Sequence, residues 1–220
     1  MKHTLEIDSV ILEFGSKRVL SDVYIKCETG RVTGLLGRNG AGKTCLMKIA
    51  HGMLNPLNKS VRIDGKVLPG SRRRSSEMMY LPQHYFIPGH LDLKRIFADF
   101  LLDFSQFAET FPELAKFFRS KVRQLSVGER RIVETYIIIR SRTMFCLLDE
   151  PFTHITPVCH ERIRNLIIAE KASKGILVTD HMYQQVADIS DGLYFIRDGV
   201  TYLTRGPEDL QLMGYVRRFS

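Results

Sequence analysis

Alternating hydrophobic and polar residues near the start of the chain predict a sheet. Residues 4–12 and 19–27 both contain stretches with a period of two, and Val23, Ile25 and Cys27 share one face of the second stretch. Such alternation is typical of strands that bury one face and expose the other. We therefore expect an antiparallel β subdomain at the N-terminus.

After this region, short apolar runs alternate with helical patterns. Asp64-Gly65 has the composition of a hairpin turn, and Asp198-Gly199 is expected to join two late strands. Strands that alternate with helices favour a mainly parallel sheet with helices on both faces, so the predicted class is α/β. Strands are predicted at 31–36, 78–81, 143–148 and 176–179, and helices at 44–51, 128–140, 157–171 and 182–188.

One segment of the chain is unusually rich in phenylalanine. Seven of the thirteen phenylalanines fall between positions 97 and 118. Pro112 is expected to open a second helix that runs to about Val122. Five of the seven follow one another at intervals of 3, 4, 3 and 4, which predicts a single helical stripe: Phe97, Phe100, Phe104, Phe107 and Phe111.

We predict a single domain over residues 1–220, because the sequence contains no internal repeat, low-complexity tract or linker. Its core is expected at about 1–89 and 125–220, interrupted by a short helical insert at about 90–124. The run Arg72–Arg74, flanked by serines, is predicted to lie in a solvated loop.

Composition limits the class of protein. Of 220 residues, 44% are apolar and 25% are charged, which is ordinary for a globular protein. The net charge of +8 suits an anionic partner, and it equally suits a protein kept soluble by its charge. The four cysteines lack CxxC spacing, so neither a zinc site nor a disulfide framework is predicted. No apolar run reaches the ~20 residues of a membrane span, and a cytosolic location is expected.

The segment GRNGAGKT at residues 37–44 matches GxxxxGK[ST] between a predicted strand and a predicted helix. Glycines let the backbone wrap closely around a phosphate, and the helix N-terminus attracts anions. Lys43 can reach the β- and γ-phosphates, and Thr44 can ligate Mg²⁺. A glycine-rich turn that matches by chance is the lesser alternative. The residues predicted to contact the nucleotide are Gly37, Asn39, Gly40, Ala41, Gly42, Lys43, Thr44 and Cys45.

A second motif supplies acids. The apolar run MFCLLDE at 144–150 ends in Asp149 and Glu150. We interpret Asp149 as the carboxylate that holds Mg²⁺ and Glu150 as the base that polarises the attacking water. The alternative is a pair of acids that stabilises the N-terminus of the helix at Pro157, but the pair lies several residues too early.

The order of these motifs resembles that of the ATP-binding cassette, the nucleotide-binding subunit of ABC transporters. LSVGE at 125–129 resembles the family signature LSGGQ, YLPQ at 80–83 resembles the Q-loop, and VTDH at 178–181 resembles the switch-histidine motif. The likeness covers essentially the whole chain. It implies a RecA-like P-loop NTPase core, with ATP and Mg²⁺ as cofactors.

The resemblance also implies roles for matching positions. Gln83 would sense Mg²⁺ and face the membrane partner, His181 would contact the γ-phosphate, and Phe14 would stack on adenine. Ser126 and Gly128 would bind the γ-phosphate of a nucleotide held by a second chain, so two cassettes would pair head to tail. Taken singly, each residue has a plainer interpretation: a lone phenylalanine is more often core, and a lone histidine at a strand end is usually on the surface.

The implied partners are a separate transmembrane permease and either an identical or a different second cassette, with no nucleic acid. The chain would then lie on the cytoplasmic face of the membrane, bound through its permease. The phenylalanine stripe would either line a docking groove for the permease or form the core of the insert.

Two positions depart from the family pattern. Val127 stands where the signature has glycine, and Thr156 stands where the family's D-loop has aspartate before proline. Thr156 keeps the role of helix N-cap but lacks the carboxylate. We predict an ATPase that drives a transporter. The alternatives are a soluble cassette ATPase in assembly or repair, and a regulatory module with low turnover. His154 is also unusual in this loop, and the sequence offers no account of it.

Overall fold

The computed structural model describes residues 2–68, 76–204 and 209. The predicted loop at Arg72–Arg74 lies outside them. The strands are β1 Thr4–Phe14, β2 Lys17–Leu20, β3 Tyr24–Glu28, β4 Arg31–Gly37, β5 Asn58–Ile63, β6 Lys66–Val67, β7 Met78–Leu81, β8 Phe145–Asp149, β9 Gly175–Thr179, β10 Gly192–Arg197 and β11 Val200–Thr204. The α-helices are α1 Lys43–His51, α2 Leu93–Asp99, α3 Phe104–Thr110, α4 Val127–Arg140, α5 Pro157–Glu170 and α6 Tyr183–Ile189.

Six strands form one sheet in the order β11-β10-β4-β9-β8-β7. All neighbouring pairs are parallel except β10 and β11. Every residue of β8 and β9 is buried, which is typical of parallel strands covered on both faces. The predicted α/β class with a mainly parallel sheet is therefore confirmed.

Successive residues of the central strands point to opposite faces of this sheet, and each face has its own core. On β8, Cys146 and Leu148 pack with residues of α4, α5, α6 and the insert. Phe145 and Leu147 face the other way and pack with α1 and the N-terminal strands. The carboxyl end of β8 therefore lies between two packed layers, and this fixes the position of the acids that follow.

The N-terminal strands form the predicted antiparallel sheet. In it, β1 pairs with β2, β3 and β5, each antiparallel. Asp64 and Gly65 have φ of 51° and 75°, as the predicted hairpin turn requires. The alternating region at 19–27 does not form one uninterrupted strand. It is divided into β2 and β3, because the Ser21 N–H donates to the Gly199 carbonyl at 2.9 Å, in the turn between β10 and β11.

The phenylalanines of the insert do not lie on one helix, contrary to the prediction. Helix α2 ends at Asp99, and Leu101 has a φ of 55°, which turns the chain before α3 begins. The Asp103 carboxylate accepts from the Ser105 N–H at 2.8 Å and caps α3. The stripe is therefore split between two short helices.

The rings still meet despite this turn. Phe97, Phe107 and Phe111 are at most 1% exposed, and all three contact Tyr136 of α4. The interpretation of the stripe as the core of the insert is confirmed for these three. The alternative, a permease-docking groove lined by them, is wrong because their surface is already covered.

The second insert helix is also shorter than predicted. A 3₁₀ helix covers Pro112–Phe117, and another covers Val122–Gln124. Between them Lys121 forms an antiparallel bridge with Asp92, just before α2, and next to it the Val122 N–H donates to the Leu91 carbonyl at 2.9 Å. Within the residues described, no helix has both the length and the apolar composition to cross a membrane.

Candidate functional site

The loop between β4 and α1 forms a glycine-lined cradle. Gly40 and Gly42 have φ of 78° and 102°, which glycine adopts without strain. A β-carbon on Gly42 would stand 2.7 Å from Leu20 Cδ2, so the loop packs closely on β2. No side chain caps α1, so its first N–H groups are left without a side-chain acceptor, as an anion site requires.

Lys43 folds back along this loop. Its Nζ donates to the carbonyls of Gly37 at 2.7 Å and Arg38 at 3.1 Å. Burial lowers the pKa of Lys43, while the nearby carboxylates of Asp149 and Glu150 raise it. The ammonium therefore lies against the loop and near the two acids. A phosphate bound on the loop would accept hydrogen bonds from it at this position.

Asp149 ends β8 and is fully buried. Its Oδ2 accepts from the Tyr80 hydroxyl at 3.0 Å, and its Oδ1 accepts from Gln83 Nε2 at 3.3 Å. Burial raises the pKa of Asp149, and hydrogen bonds from Thr44 and Tyr80 lower it. The carboxylate is therefore fixed beside the phosphate loop.

Glu150 has a φ of 58°, an uncommon conformation outside glycine. Its N–H donates to the Thr179 carbonyl at 2.8 Å, and its Oε1 accepts from Gln83 Nε2 at 3.0 Å. The Thr153 hydroxyl lies 3.5 Å both from Glu150 Oε2 and from His181 Nδ1. The Q-loop glutamine, the second acid and the histidine thus meet in one place.

The donor set fits Mg²⁺. Thr44 and Asp149 supply a hydroxyl and a carboxylate oxygen that are hydrogen-bonded to each other, and Mg²⁺ is usually bound by one or two carboxylates together with substrate phosphates. Gln83 faces the acids through Nε2 in this structure, so its amide oxygen would have to turn inward to join the set. A buried carboxylate beside a phosphate cradle is a suitable anchor for such an ion.

A cavity of about 550 Å³ joins these elements. Phe14 stands at its rim and is 54% exposed, so the plainer interpretation of this ring as core is wrong. The predicted site residues that line the cavity are Phe14, Asn39, Gly40, Ala41, Gly42, Lys43, Thr44, Cys45, Gln83, Glu150 and His181.

Two predicted residues lie behind the cavity wall. Gly37 packs against β10, because a β-carbon there would stand 2.4 Å from Ile196 Cγ2. Asp149 is covered by Tyr80 and Gln83. Gly37 therefore permits close strand packing in this structure, and its contact with a nucleotide remains a prediction.

Ser126 and Gly128 do not line this cavity; they lie at the start of α4. Ser126 caps the helix, accepting from the Glu129 N–H at 3.3 Å, and Glu129 Oε2 accepts from the Ser126 N–H at 2.7 Å. Val127 is 52% exposed. The helix start thus faces outward, as a contact with a second chain would require.

The D-loop keeps its predicted cap. The Thr156 hydroxyl accepts from the Cys159 N–H at 3.5 Å, and Pro157 begins α5.

Three residues around the acids carry no role in the sequence interpretation. Tyr80 holds Asp149, Thr153 lies between Glu150 and His181, and Arg131 donates to the carbonyls of both acids. Tyr80 falls within the YLPQ motif, so the sequence indicates where it lies but not that it bonds to Asp149. Nothing in the sequence distinguishes Arg131 from the other charged residues of α4.

Comparisons with known proteins agree with this geometry. Residues 20–153 match the family described as "ABC transporter". The lipopolysaccharide export system ATP-binding protein LptB of Haemophilus influenzae is 30% identical over 97% of this chain and 95% of its own length. A probable ABC transporter ATP-binding protein of Azorhizobium caulinodans is 32% identical over 93% of this chain and 78% of its own.

Solved structures show the same fold. An ATP-binding subunit of an ABC transporter superposes with a TM-score of 0.76 at 20% identity, covering 97% of this chain and 95% of that chain. An ATP-bound bacterial Atm1-family ABC exporter gives 0.82 at 16% identity over 96% of this chain and 40% of that larger chain.

Proposed function

The chain belongs to the ABC transporter family as an ATP-binding subunit whose ATP hydrolysis powers transport, and we propose that the residues around the 550 Å³ cavity carry out this reaction. The observation that carries the assignment is the contact of Gln83 Nε2 with both acids, Asp149 at 3.3 Å and Glu150 at 3.0 Å, beside the phosphate loop.

Two surfaces of the cavity bind ATP, one contacting the phosphates and the other the adenine. The phosphates lie on the N–H groups of the loop and the start of α1, with Lys43 between the β- and γ-phosphates. The adenine stacks on the exposed ring of Phe14. Because β1 supplies Phe14 and β4 leads into the loop, both sheets hold the substrate.

Hydrolysis uses the acids. Glu150 takes the proton of the attacking water, and Gln83 and His181 orient the water and the γ-phosphate. Mg²⁺ held by Thr44, Asp149 and Gln83 would neutralise phosphate charge. Fixed groups of this kind act mainly by positioning the reactants and stabilising developing charge.

A second cassette completes the site. Ser126 and Gly128, at the N-terminus of α4, bind the γ-phosphate held by the partner chain, and the reciprocal contact makes a head-to-tail dimer. The exposed capped start of α4 supports this arrangement. Val127 adds bulk at the contact, and Thr156 removes a carboxylate from the D-loop.

The transmembrane partner is a separate permease, and the chain binds to its cytoplasmic face. The test combines fractionation with turnover: we expect the chain in the membrane fraction, with ATPase activity, when the permease is co-produced, and in the supernatant without it. Tight binding of the isolated chain to lipid vesicles would contradict docking through a permease. Absence of turnover even with the permease would favour a regulatory module.

A further inference from the structure

Arg131 is a buried cation inside the site. It lies on α4, five positions after Ser126, and is 3% exposed. Its Nη1 donates to the Pro82 carbonyl at 2.7 Å, and its Nη2 donates to the carbonyls of Asp149 and, at 2.9 Å, Glu150. Its Nε also donates to the Glu150 carbonyl at 3.2 Å.

All the acceptors are main-chain carbonyls in two catalytic segments. Pro82 directly precedes Gln83, and Asp149 and Glu150 end β8. A buried charge is tolerated when its hydrogen bonds are satisfied, and this guanidinium meets that condition with a fixed planar fork. It therefore fixes the backbone on both sides of the contact between Gln83 and Glu150.

Glu150 needs such support. Its left-handed φ of 58° is a strained conformation that persists where the surroundings determine it. Arg131 bonds the Glu150 carbonyl twice, while the Glu150 N–H bonds to Thr179. The main chain is held on both sides of the Cα atom, so the direction of the carboxylate follows from these bonds.

Helix α4 also forms hydrogen bonds with the part of the Q-loop that follows Gln83. Glu134 Oε1 accepts from the N–H groups of Phe86 and Ile87, each at 3.2 Å, and the Tyr85 hydroxyl donates to the Val127 carbonyl at 3.2 Å. These contacts lie on the side of Gln83 away from Pro82. The Q-loop is thus attached to α4 before and after its glutamine.

We propose that Arg131 is a positioning residue that couples the start of α4 to the hydrolytic groups of its own chain. A shift of α4 displaces the Pro82 and Glu150 carbonyls together, so the partner nucleotide met by Ser126 acts on the alignment of Glu150 and Gln83. The inference rests on the proposed function, because it requires Glu150 to be the base.

The experiment compares Arg131→Lys and Arg131→Met with Arg140→Met in the full chain assembled with its permease. Lysine keeps the charge but lacks the fork; methionine removes both. Arg140 is a matched control on the same helix, since its guanidinium pairs with Glu170 at 2.5 Å, away from the cavity. ATPase kinetics, Mg-ATP affinity by equilibrium dialysis and thermal unfolding are measured for each.

Loss of the fork should lower kcat by about 10²-fold, because small misplacements of reacting groups have effects of that size. Mg-ATP affinity should stay within twofold, and Arg140→Met should keep wild-type kcat. In a Glu150→Gln background, Arg131→Met should lower the residual rate by a smaller factor than in the wild type, because part of its effect passes through Glu150.

Three results would overturn the inference while leaving the proposed function standing: a folded Arg131→Lys protein with wild-type kcat, a loss of affinity that parallels the loss of kcat, or an equal rate loss in the Glu150→Gln background. Where Arg131→Met does not fold, Arg131→Lys is read instead. A wild type without turnover would overturn the proposed function itself, and with it the inference.

Discussion

The carbonyl oxygen of His154 lies directly against the Cα atom of Gly128, so close that a β-carbon on Gly128 would stand 2.5 Å from it. His154 adopts a left-handed φ of 64° at this contact. The D-loop and the start of α4 therefore touch main chain to main chain. This contact gives glycine at 128 a packing reason within one chain, beside its proposed role at a partner nucleotide.

Gly128→Ala should force these two segments apart and lower the free energy of unfolding by about 1–3 kcal/mol. Chemical denaturation measures the change. Gly192→Ala is the control, because a β-carbon at Gly192 meets nothing within 4 Å. Equal midpoints for the two variants would contradict the packing interpretation.

Lys43→Ala should abolish Mg-ATP binding and leave the fold intact, because its ammonium would otherwise contact the β- and γ-phosphates. Isothermal titration measures the affinity. Lys48→Ala, on the same helix but outside the cavity lining, should bind as the wild type does. Unchanged affinity in the Lys43 variant would remove the phosphate-loop assignment.

Glu150→Gln should lower ATP turnover by about 10²–10⁴-fold, the usual contribution of a general base, and leave ATP binding in place. The amide keeps the shape of the side chain and removes its basicity. Steady-state ATPase rates with the permease present test this. If the variant hydrolyses ATP as fast as the wild type, another group is the base.

Trapped ATP in Glu150→Gln should hold two chains together, and adding Ser126→Arg should separate them. Ser126 is exposed at the start of α4, where an arginine would occupy the shared contact without touching the chain's own phosphate loop. Size-exclusion chromatography with Mg-ATP shows whether each variant is a monomer or a dimer. Ser105→Arg, at the start of α3, is the control and should leave the dimer whole.

The insert offers a paired test of stability. Phe107→Ala should lower the free energy of unfolding by about 3–5 kcal/mol, because this ring is fully buried. Leu101→Gly should raise it slightly, by about 0.5–1 kcal/mol, since it relieves a left-handed φ of 55° at a side chain that is 69% exposed. Differential scanning calorimetry of both variants measures the change in the free energy of unfolding. A Leu101→Gly protein less stable than the wild type would contradict the argument from backbone strain.

The parts of the fold set by local pattern were predictable. The apolar run ending in Asp149 and Glu150 forms β8, and the acids meet the phosphate loop because carboxyl ends of parallel strands share one edge. The turn at Leu101 was not predictable from the phenylalanine period. The sequence signal for this turn is Asp103, the N-cap of α3. A single capping residue is weaker evidence for a break than five phenylalanines at helical spacing are for a continuous helix.

Other features depend on distant parts of the chain. The break between β2 and β3 follows from the Gly199 carbonyl, which lies far away in sequence. Arg131 looks like any charge on a helix, and its role emerges only when tertiary packing brings three carbonyls to its guanidinium. Because every residue has a main-chain carbonyl, acceptors of this kind cannot be identified from residue types in the sequence.

Strand β1 bonds to three partners and ends in Phe14, whereas the phosphate loop continues from β4 of the other sheet. A nucleotide that touches both crosses the seam between them. Ligand at a hundred times its dissociation constant adds about 2.7 kcal/mol to any opening that releases it. We therefore expect the amide hydrogens of β1 to exchange with solvent more slowly when nucleotide is bound, although none of them contacts a phosphate, because opening the seam then requires release of the nucleotide.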